Sequence, residues 1–427
     1  MYFQQQNVLH LIFIVLIALT AYLFIPGAGA FYVRYVWRSF RRRLMDAALC
    51  PPLSYRALHA AGDGAENALE GPFRFFGTIR AIQGDDTAWC SDGSLTVSVH
   101  LRGTRIYLLS SSIDENRIYE GRTHPEEPPR RISWNRLTSL PEYTRIFIYG
   151  MVRRSNGRGT FVQSEQHPLL VIIHEQEESE VFPQAVWRGR QRNEYWNIYT
   201  PGSLLVGSFS LFLYFYIIVQ DPLLQAPALA ALVLSVAPLL PLLPPAVVFF
   251  FFYSYFWKRG RILRAERDLL GIPALFFRSI LEEPGCSERS ENRGDMMTRV
   301  LPTGETYVMA RVPDRDSAVS LFPDGECVGL SLPAELLERE FFVFGADHET
   351  AGVPGGGEHN GQGRLSRLVT PRDPAAAGLI VPGNPCTLSR ECERRAGRLE
   401  AAGLLLFVVG AVLTGAVAFV VLGSLLF

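Results

Sequence analysis

The hydrophobic positions of the chain form four long apolar runs, separated by two segments in which apolar and polar residues mix. The runs cover residues 8–28, 203–219, 226–256 and 403–427, and none of them contains Asp, Glu, Lys or Arg. A helix needs about 20 apolar residues to cross the hydrocarbon core of a bilayer. One short run would also suit a buried core helix, but four such runs predict four transmembrane helices.

The segment between the first two runs has the pattern of β-strands. In "SLTVSVHL" (94–101), polar and apolar residues alternate, which predicts a strand with one buried face. Similar runs lie at 73–82, 104–111, 143–152 and 168–176, separated by turn sequences such as "SDG" and "SNGRG". Five or six strands predict a small barrel or sandwich. The polar segment 114–137 contains prolines and is typical of a long loop with one helical turn.

The segment between the last two runs has the same style. Its predicted strands lie at 305–312, 318–323, 326–332, 340–347 and 376–382. The Gly-rich residues 351–365 are typical of a disordered excursion. The fold class predicted is an α+β membrane protein with two β-rich domains. The predicted boundaries are 1–30 (first transmembrane helix), 31–200 (first β-rich domain), 201–257 (transmembrane hairpin), 258–400 (second β-rich domain) and 401–427 (last transmembrane helix).

Charge predicts the orientation of these spans. All 41 Lys and Arg residues fall within 34–192 or 258–398, and cytoplasmic flanks of membrane spans accumulate such residues. The link between the second and third runs has no cation and one acid, Asp221. We therefore expect both β-rich domains in the cytoplasm, with the N-terminus, the link near 220 and Phe427 on the outside. The ratio of 40 Arg to one Lys indicates a GC-biased genome, and we expect a bacterial inner membrane.

A cleaved secretory signal peptide is the alternative for the first run. The small residues "AGA" at 28–30 follow an apolar stretch, as at a cleavage site. However, "MYFQQQN" has no positive charge before the run, and arginines directly follow it. Cleavage would export everything downstream.

A collar of aromatic and basic residues follows the first and the third run. The first collar is Tyr35, Trp37, Arg38 and Arg41, and the second is Tyr255, Trp257, Lys258 and Arg261, at a constant offset of 220 residues. Such residues gather at any cytoplasmic membrane interface, but the shared order predicts an internal duplication. "RIFIYG" (145–150) and "EFFVFG" (340–345) are a second matching pair.

The layout of the chain resembles a known domain type. A strand-rich segment ending in "PLLVIIHEQ", then "RGRQRNEYW" and a span, all after an N-terminal span, is similar to the GIDE-type "beside a membrane" domain. That domain lies between two spans in mitochondrial RING ubiquitin ligases and in prokaryotic relatives without the RING. The resemblance covers roughly 70–220 and, more faintly, 305–427. No Cys/His series with zinc-finger spacing follows the last span, so ligase activity is not implied.

No catalytic motif indicates an enzyme. The only lysine, Lys258, does not lie in a phosphate-binding loop, and "GGGEHNGQG" lacks the flanking strand and helix of a dinucleotide site. "GLSLP" (329–333) is not a nucleophile elbow. A membrane-bound enzyme without a recognisable motif remains an alternative, and we predict no cofactor.

Metal and redox sites are not predicted either. His167 and His174 bracket a proline and a strand, and no H-E-x-x-H occurs. The six cysteines include no C-x-x-C, and cytoplasmic cysteines are expected to remain thiols. Cys386 and Cys392, with five residues between them, are the pair that a redox test would address.

The spans contain little that a transporter would need. Apart from tyrosines, His10 is the only residue in the four runs whose side chain could form an ion pair or relay a proton. The third run contains Pro238, Pro241, Pro244 and Pro245, which bend a long helix or, alternatively, open a cavity. We expect the helices to be anchors, and a transporter or channel subunit is the alternative function.

The sequence thus predicts an integral membrane protein that acts by binding or scaffolding. Its expected partners are the lipid bilayer and an unidentified protein, and anionic lipid head groups are a further candidate for the collars. Nucleic acid is not expected, because the net charge is −1 and the arginines abut the membrane.

Overall fold

The computed structural model describes residues 2–60, 71–84, 86–109, 129–136, 143–155, 158–191, 194–281, 296–337, 340–347 and 367–426. The chain divides into two compact units. The helical unit comprises residues 1–38, 192–262 and 394–427, and the β unit comprises 39–191 and 263–393. The Gly-rich segment 351–365 and the first part of the expected loop 114–137 lie outside the described residues.

The first, second and fourth apolar runs form helices, as predicted. In chain order the helices are α1 (Tyr2–Leu19), α2 (Ile25–Leu49), α3 (Tyr55–Ala60), α4 (Glu178–Gln191), α5 (Thr200–Ile218), α6 (Gln225–Ser235), α7 (Ala246–Leu281), α8 (Arg315–Leu321) and α9 (Pro385–Leu426). A π-helical turn, Thr20–Phe24, joins α1 to α2. In the described part of the chain, three helical stretches are long and apolar enough to cross a membrane: Gln6–Leu49, Thr200–Ile218 and Pro385–Ser424.

The third apolar run, 226–256, differs from the single bent helix that we expected. It is divided into α6, a 3₁₀ segment (Ala237–Leu242) and the start of α7. The cause is the set of four prolines between 238 and 245, because proline has no backbone amide and clashes with the preceding turn. This run is therefore not one of the three long apolar helices.

The first β-rich domain contains a five-stranded barrel, one of the two architectures predicted. The strands of the sheet are β1 (Pro72–Gln83), β2 (Thr87–Ser91), β3 (Thr96–His100), β4 (Arg105–Leu109), β5 (Arg130–Ser133), β6 (Arg145–Ser155), β7 (Arg158–Val162) and β8 (Leu170–His174). The barrel closes in the order β1-β2-β3-β7-β6-β1, with β3 and β7 parallel. This strand order is of the OB type, a fold that by itself assigns no function.

Three more strands extend this sheet beyond the barrel. β8 pairs with β6, β4 runs parallel to β8, and β5 forms the edge. The sequence missed β5, which lies within the expected loop 114–137 and is followed by a 3₁₀ turn, Trp134–Arg136. Alternating apolar residues fill the barrel, among them Val97, Ile148 and Phe161, which are fully buried.

The second β-rich domain is an open sheet. Its strands are β9 (Met296–Val300), β10 (Thr306–Val312), β11 (Glu326–Cys327), β12 (Phe341–Asp347), β13 (Leu368–Val369) and β14 (Leu379–Pro382). They follow the order β11-β14-β12-β10-β9, with β13 on β12. The strand expected at 318–323 is wrong, because these residues belong mostly to α8, whose N-cap Asp314 accepts a hydrogen bond of 2.7 Å from the Ser317 amide. Of the strand expected at 326–332, only β11 forms.

Four strands of each sheet share one order and one set of directions. In the first sheet β1-β6-β8-β4 contains two antiparallel pairs followed by a parallel pair, and so does β10-β12-β14-β11 in the second. The registers also agree. Tyr149 lies opposite Arg74 and Leu170, and its counterpart Phe344 lies opposite Met309 and Leu379.

Helices of the β unit cover a face of each sheet through aromatic contacts. In the first sheet, the ring centroid of Phe147 on β6 lies 5.3 Å from that of Phe182 on α4. In the second sheet, Phe277 of α7 lies 5.6 Å from Tyr307 and 6.0 Å from Phe344. A helix of the β unit therefore packs on each sheet.

Candidate functional site

The two predicted collars have matching exposure. Tyr35 and Tyr255 are 72% and 58% exposed, and Arg38 and Lys258 are exposed as well. Trp37 is buried and Trp257 half-buried, while Arg41 and Arg261 are both half-buried. Trp257 packs on Tyr195, with ring centroids 5.6 Å apart. The Tyr and the first cation of each collar thus point outward, whereas the Trp of each packs inward.

Arg41 belongs to a half-buried ion cluster that the sequence did not reveal. Its Nε lies 3.6 Å from Asp268 Oδ2, which also accepts a 2.6 Å hydrogen bond from Arg190 Nε. Arg267 donates to Asp268 Oδ1 at 2.6 Å and pairs with Glu393. Burial opposes ionisation of Asp268, but the guanidinium groups of Arg190, Arg267 and Arg41 hold its pKa below the usual range.

The position of this cluster in the chain indicates its role. The chain passes between the two units at 38/39, 191/192, 262/263 and 393/394. Arg41, Arg190, Asp268 and Glu393 each lie within six residues of one of these four points. The β unit consists of two segments of the chain, and the cluster joins all four of their ends, next to the crossing points. A sequence offers no signal for such a group, because its members are far apart along the chain.

A second buried ion pair links the two sheets. Arg74 of β1 pairs with Asp373, which lies between β13 and β14, and the two residues are 1% and 0% exposed. Asp373 also accepts a hydrogen bond of 2.9 Å from the Ala375 amide, and its own amide donates to Glu305 at 3.3 Å. Among the described residues, Arg74 Nε and Nη1 have no hydrogen-bond partner. Breaking such a pair is costly, because a buried charge would remain without its counter-ion.

Cys50 follows α2 and lies in a cluster of polar side chains, but it lacks the properties of an activated thiol. The Tyr149 hydroxyl lies 3.2 Å from His167 Nδ1 and shares a hydrogen bond with Cys50. Burial raises the pKa of the Cys50 thiol, with a smaller opposing effect from Tyr149 and Arg74. A reactive cysteine needs a lowered pKa. In the part of the chain that the structure describes, no three His, Cys, Asp or Glu side chains lie close enough to hold a metal ion.

Polar side chains do join the apolar helices of the helical unit. His10 Nδ1 lies 2.5 Å from the Tyr214 hydroxyl. The Tyr22 hydroxyl is 3.2 Å from Ser208 Oγ and donates a 2.9 Å hydrogen bond to the Leu234 carbonyl. Thr414 accepts a 2.9 Å hydrogen bond from the Ala246 amide. Polar contacts between spans are typical of a transporter or channel, whereas a simple anchor does not need them.

Comparisons with protein-family models, with curated proteins and with solved structures find no match to the chain.

Proposed function

We propose that this protein is a multi-pass membrane protein that presents two related β-rich domains at the cytoplasmic face and acts by binding or scaffolding a partner. The observation that carries the proposal is the continuity of the helices. α7 extends for 36 residues and α9 for 42, each combining an apolar part with a part in the β unit. Each of these helices thus carries the chain directly from an apolar segment into the β unit.

The divided third run is proposed to cross the membrane as a fourth passage. A methyl group on Gly403 would lie 3.4 Å from Phe256 Cβ, and one on Gly423 would lie 3.2 Å from Leu229 Cδ2. The segment from Leu229 to Phe256 thus runs antiparallel to α9 over 20 residues, or about 30 Å of helix. This length equals the hydrocarbon thickness of a bilayer. One carbonyl that a proline leaves without its α-helical donor, that of Leu234, accepts a hydrogen bond from the Tyr22 hydroxyl of a neighbouring helix.

The cytoplasmic placement of the β unit rests on the distribution of Lys and Arg. Reporter fusions after residues 100, 223, 330 and 427 should read cytoplasmic, external, cytoplasmic and external. An external signal at 100 together with loss of the first 30 residues would instead establish the cleaved signal. If the fusions after 223 and 330 reported the same side of the membrane, the third run would not cross it.

An internal duplication is part of the proposal. It is supported by the shared order and register of β1-β6-β8-β4 and β10-β12-β14-β11. It is further supported by the collars, in which the Tyr, the first cation and the last Arg have the same exposure class in both copies, whereas Trp37 is buried and Trp257 half-buried. Since both copies leave the membrane on the same side, they would be parallel repeats about an axis along the membrane normal. The layout of span, β-domain and span in each copy also agrees with the GIDE-type resemblance, which stays a proposal.

The binding role can be tested by capturing the partner. The full chain, solubilised in mild detergent after crosslinking in cells, should retain a defined partner that mass spectrometry identifies. Asp268→Asn is the test variant, because it weakens the ion cluster near the four crossing points. It should reduce capture of the partner while the protein stays in the membrane. Capture of the same proteins by an unrelated membrane protein of equal abundance would contradict the scaffold role.

Transport is the second candidate, and the polar contact between His10 and Tyr214 favours it. Ionisable groups inside a membrane are costly and usually functional. In reconstituted vesicles, a proton or ion flux that is lost in His10→Phe or on substitution of Pro241 would establish transport and reject the anchor. Vesicles that carry no flux with the unmodified chain would retain the scaffold.

A further inference from the structure

The helical unit contains a groove between the first span and α5. Its volume is about 620 Å³, and its walls include Leu16, Ile17 and Ile25 on one side and Ile198 and Val206 on the other. The groove exists because α5 has small residues on this side. Gly202, Ser203 and Ser210 are among the lining residues, and a methyl group on Gly202 would meet no atom within 4 Å.

We infer that this groove binds one acyl chain of an anionic phospholipid in the cytoplasmic leaflet. The lining from Leu16 to Ile25 covers nine residues of helix, or about 14 Å. Half of a bilayer core is about 15 Å thick, so the groove has the length of one leaflet's chains. Val206 is 66% and Leu16 is 56% exposed, so the described part of the chain leaves the rims of the groove uncovered.

The inner end of the groove has the residues of a membrane interface. Tyr199 lines the groove there, and Trp196 and Tyr195, a few residues earlier, are 64% and 47% exposed. Amphipathic aromatic rings prefer the level of the lipid head groups. The phosphate of a lipid whose chain fills the groove would therefore lie near these rings.

Charge selects the class of lipid. The helical unit has nine Lys or Arg residues against three acids, and one of these acids, Asp221, lies in the link near 220. Arg34, on the helix that follows the first wall, bonds Glu194 at 2.9 Å and is half exposed. Arg38, one turn further, is exposed. This excess of positive charge attracts an anionic head group, whereas a zwitterionic head group has no net charge for it to attract.

Spin-labelled lipids in vesicles of phosphatidylglycerol and phosphatidylcholine test the site with the full chain. A Cβ at position 202 would meet no atom within 4 Å, so Gly202→Leu adds its side chain to the groove, and we expect it to lose one motionally restricted phosphatidylglycerol per chain. Gly27→Leu is the matched control, because a Cβ there also meets no atom within 4 Å and Gly27 does not line the groove. Arg38→Gln should lower the preference for phosphatidylglycerol about fivefold.

Three outcomes would overturn the inference. Equal lipid restriction by Gly202→Leu and the unmodified chain would show that the lipid binds elsewhere. Equal restriction of phosphatidylglycerol and phosphatidylcholine would reject the anionic class. A native mass that falls from dimer to monomer in Gly202→Leu would assign the groove to a helix of a second copy. The site depends on the membrane location of the chain but not on the binding role of the β-rich domains.

Discussion

The Tyr22 hydroxyl donates a hydrogen bond of 2.9 Å to the carbonyl oxygen of Leu234, which lies 212 residues further along the chain. The amide of residue 238 would be the α-helical donor to this carbonyl, but residue 238 is proline. The side chain of one helix thus compensates for a break in another. This relationship explains how the third apolar run tolerates its prolines at that point.

Tyr22→Phe should therefore destabilise the helical unit. The variant keeps the ring and removes only the hydroxyl, so we expect a loss of about 1 kcal/mol in the free energy of unfolding. Unfolding in a mixed micelle series, followed by circular dichroism, measures it. Tyr216→Phe is the matched control, because Tyr216 lies on α5 and is 61% exposed. Equal stability of the two variants would contradict a role for the Tyr22 hydroxyl.

Gly410 tests the packing of α9 against α7. A methyl group on Gly410 would lie 2.6 Å from Phe249 Cβ, so Gly410→Ala should force the helices apart and cost about 1–3 kcal/mol. Gly397 lies on the same helix and has no atom within 4 Å of such a methyl. Gly397→Ala should be neutral or stabilising by up to about 1 kcal/mol, because alanine favours the helix. Thermal unfolding in detergent measures the contrast, and a neutral Gly410→Ala would mean that α9 does not approach α7 so closely.

The buried ion pair predicts a large loss from a single substitution in the β unit. Arg74→Met leaves the Asp373 carboxylate buried without its counter-ion, and we expect a loss of about 3–5 kcal/mol. The pair of Arg311 and Glu340 is the control, since those side chains are 27% and 41% exposed. Arg311→Met should cost about 1 kcal/mol or less.

A double variant separates lost charge pairing from lost packing at this site. Arg74→Met together with Asp373→Asn removes both charges and should recover part of the stability that Arg74→Met loses. Chemical denaturation of the three full-length variants gives the comparison. If the double variant is less stable than Arg74→Met by the full cost of Asp373→Asn alone, the two residues act independently.

His174 predicts a pH dependence of stability. Burial, together with a smaller effect of Arg145, lowers the pKa of His174 to about 4 against the opposing effect of the hydrogen bond to the Gln176 carbonyl. The unfolded chain binds this proton near pH 6.5, so the unfolded state gains protons first as the pH falls. The stability that a neutral His174 contributes is therefore complete above pH 6.5 and declines progressively toward pH 4. The decline amounts to at most about 3 kcal/mol.

The His174→Gln variant, which cannot titrate, should show a flatter stability profile between pH 6.5 and 4. Its absolute stability will differ, because the His174 hydrogen bond of 3.1 Å to the Gln176 carbonyl is lost. The comparison is therefore the slope of unfolding free energy against pH. His100→Gln is the control, since His100 is exposed. Identical slopes for His174→Gln and the unmodified chain would reject a buried neutral histidine.

Local patterns in the sequence were sufficient for three of the four apolar helices and for most of the barrel. The alternation in 94–101 corresponds to β3, and the apolar and aromatic run in 143–152 corresponds to β6, because one face of each strand packs into the barrel. The strand predicted at 318–323 was wrong because a short apolar run fits either structure. The cap at Asp314 and Ser317 was the available signal for a helix.

Long-range contacts could not be predicted in the same way. The Asp268 cluster unites residues from four separate segments, and Arg74 and Asp373 are 299 positions apart. One sequence carries no signal for such partners, because charge alone does not identify which arginine meets which acid. The break in the third apolar run was visible as prolines, but its compensation by Tyr22 required the fold.

The buried arginine also distinguishes the two sheets. Met309 has in the second sheet the register position that Arg74 has in the first, opposite Phe344 where Arg74 is opposite Tyr149. The pair of Arg74 and Asp373 therefore has one direction, with the cation on the first sheet and the acid in the segment before β14. A symmetric interface would hold each contact twice, so the contact between the two sheets is not symmetric at this point.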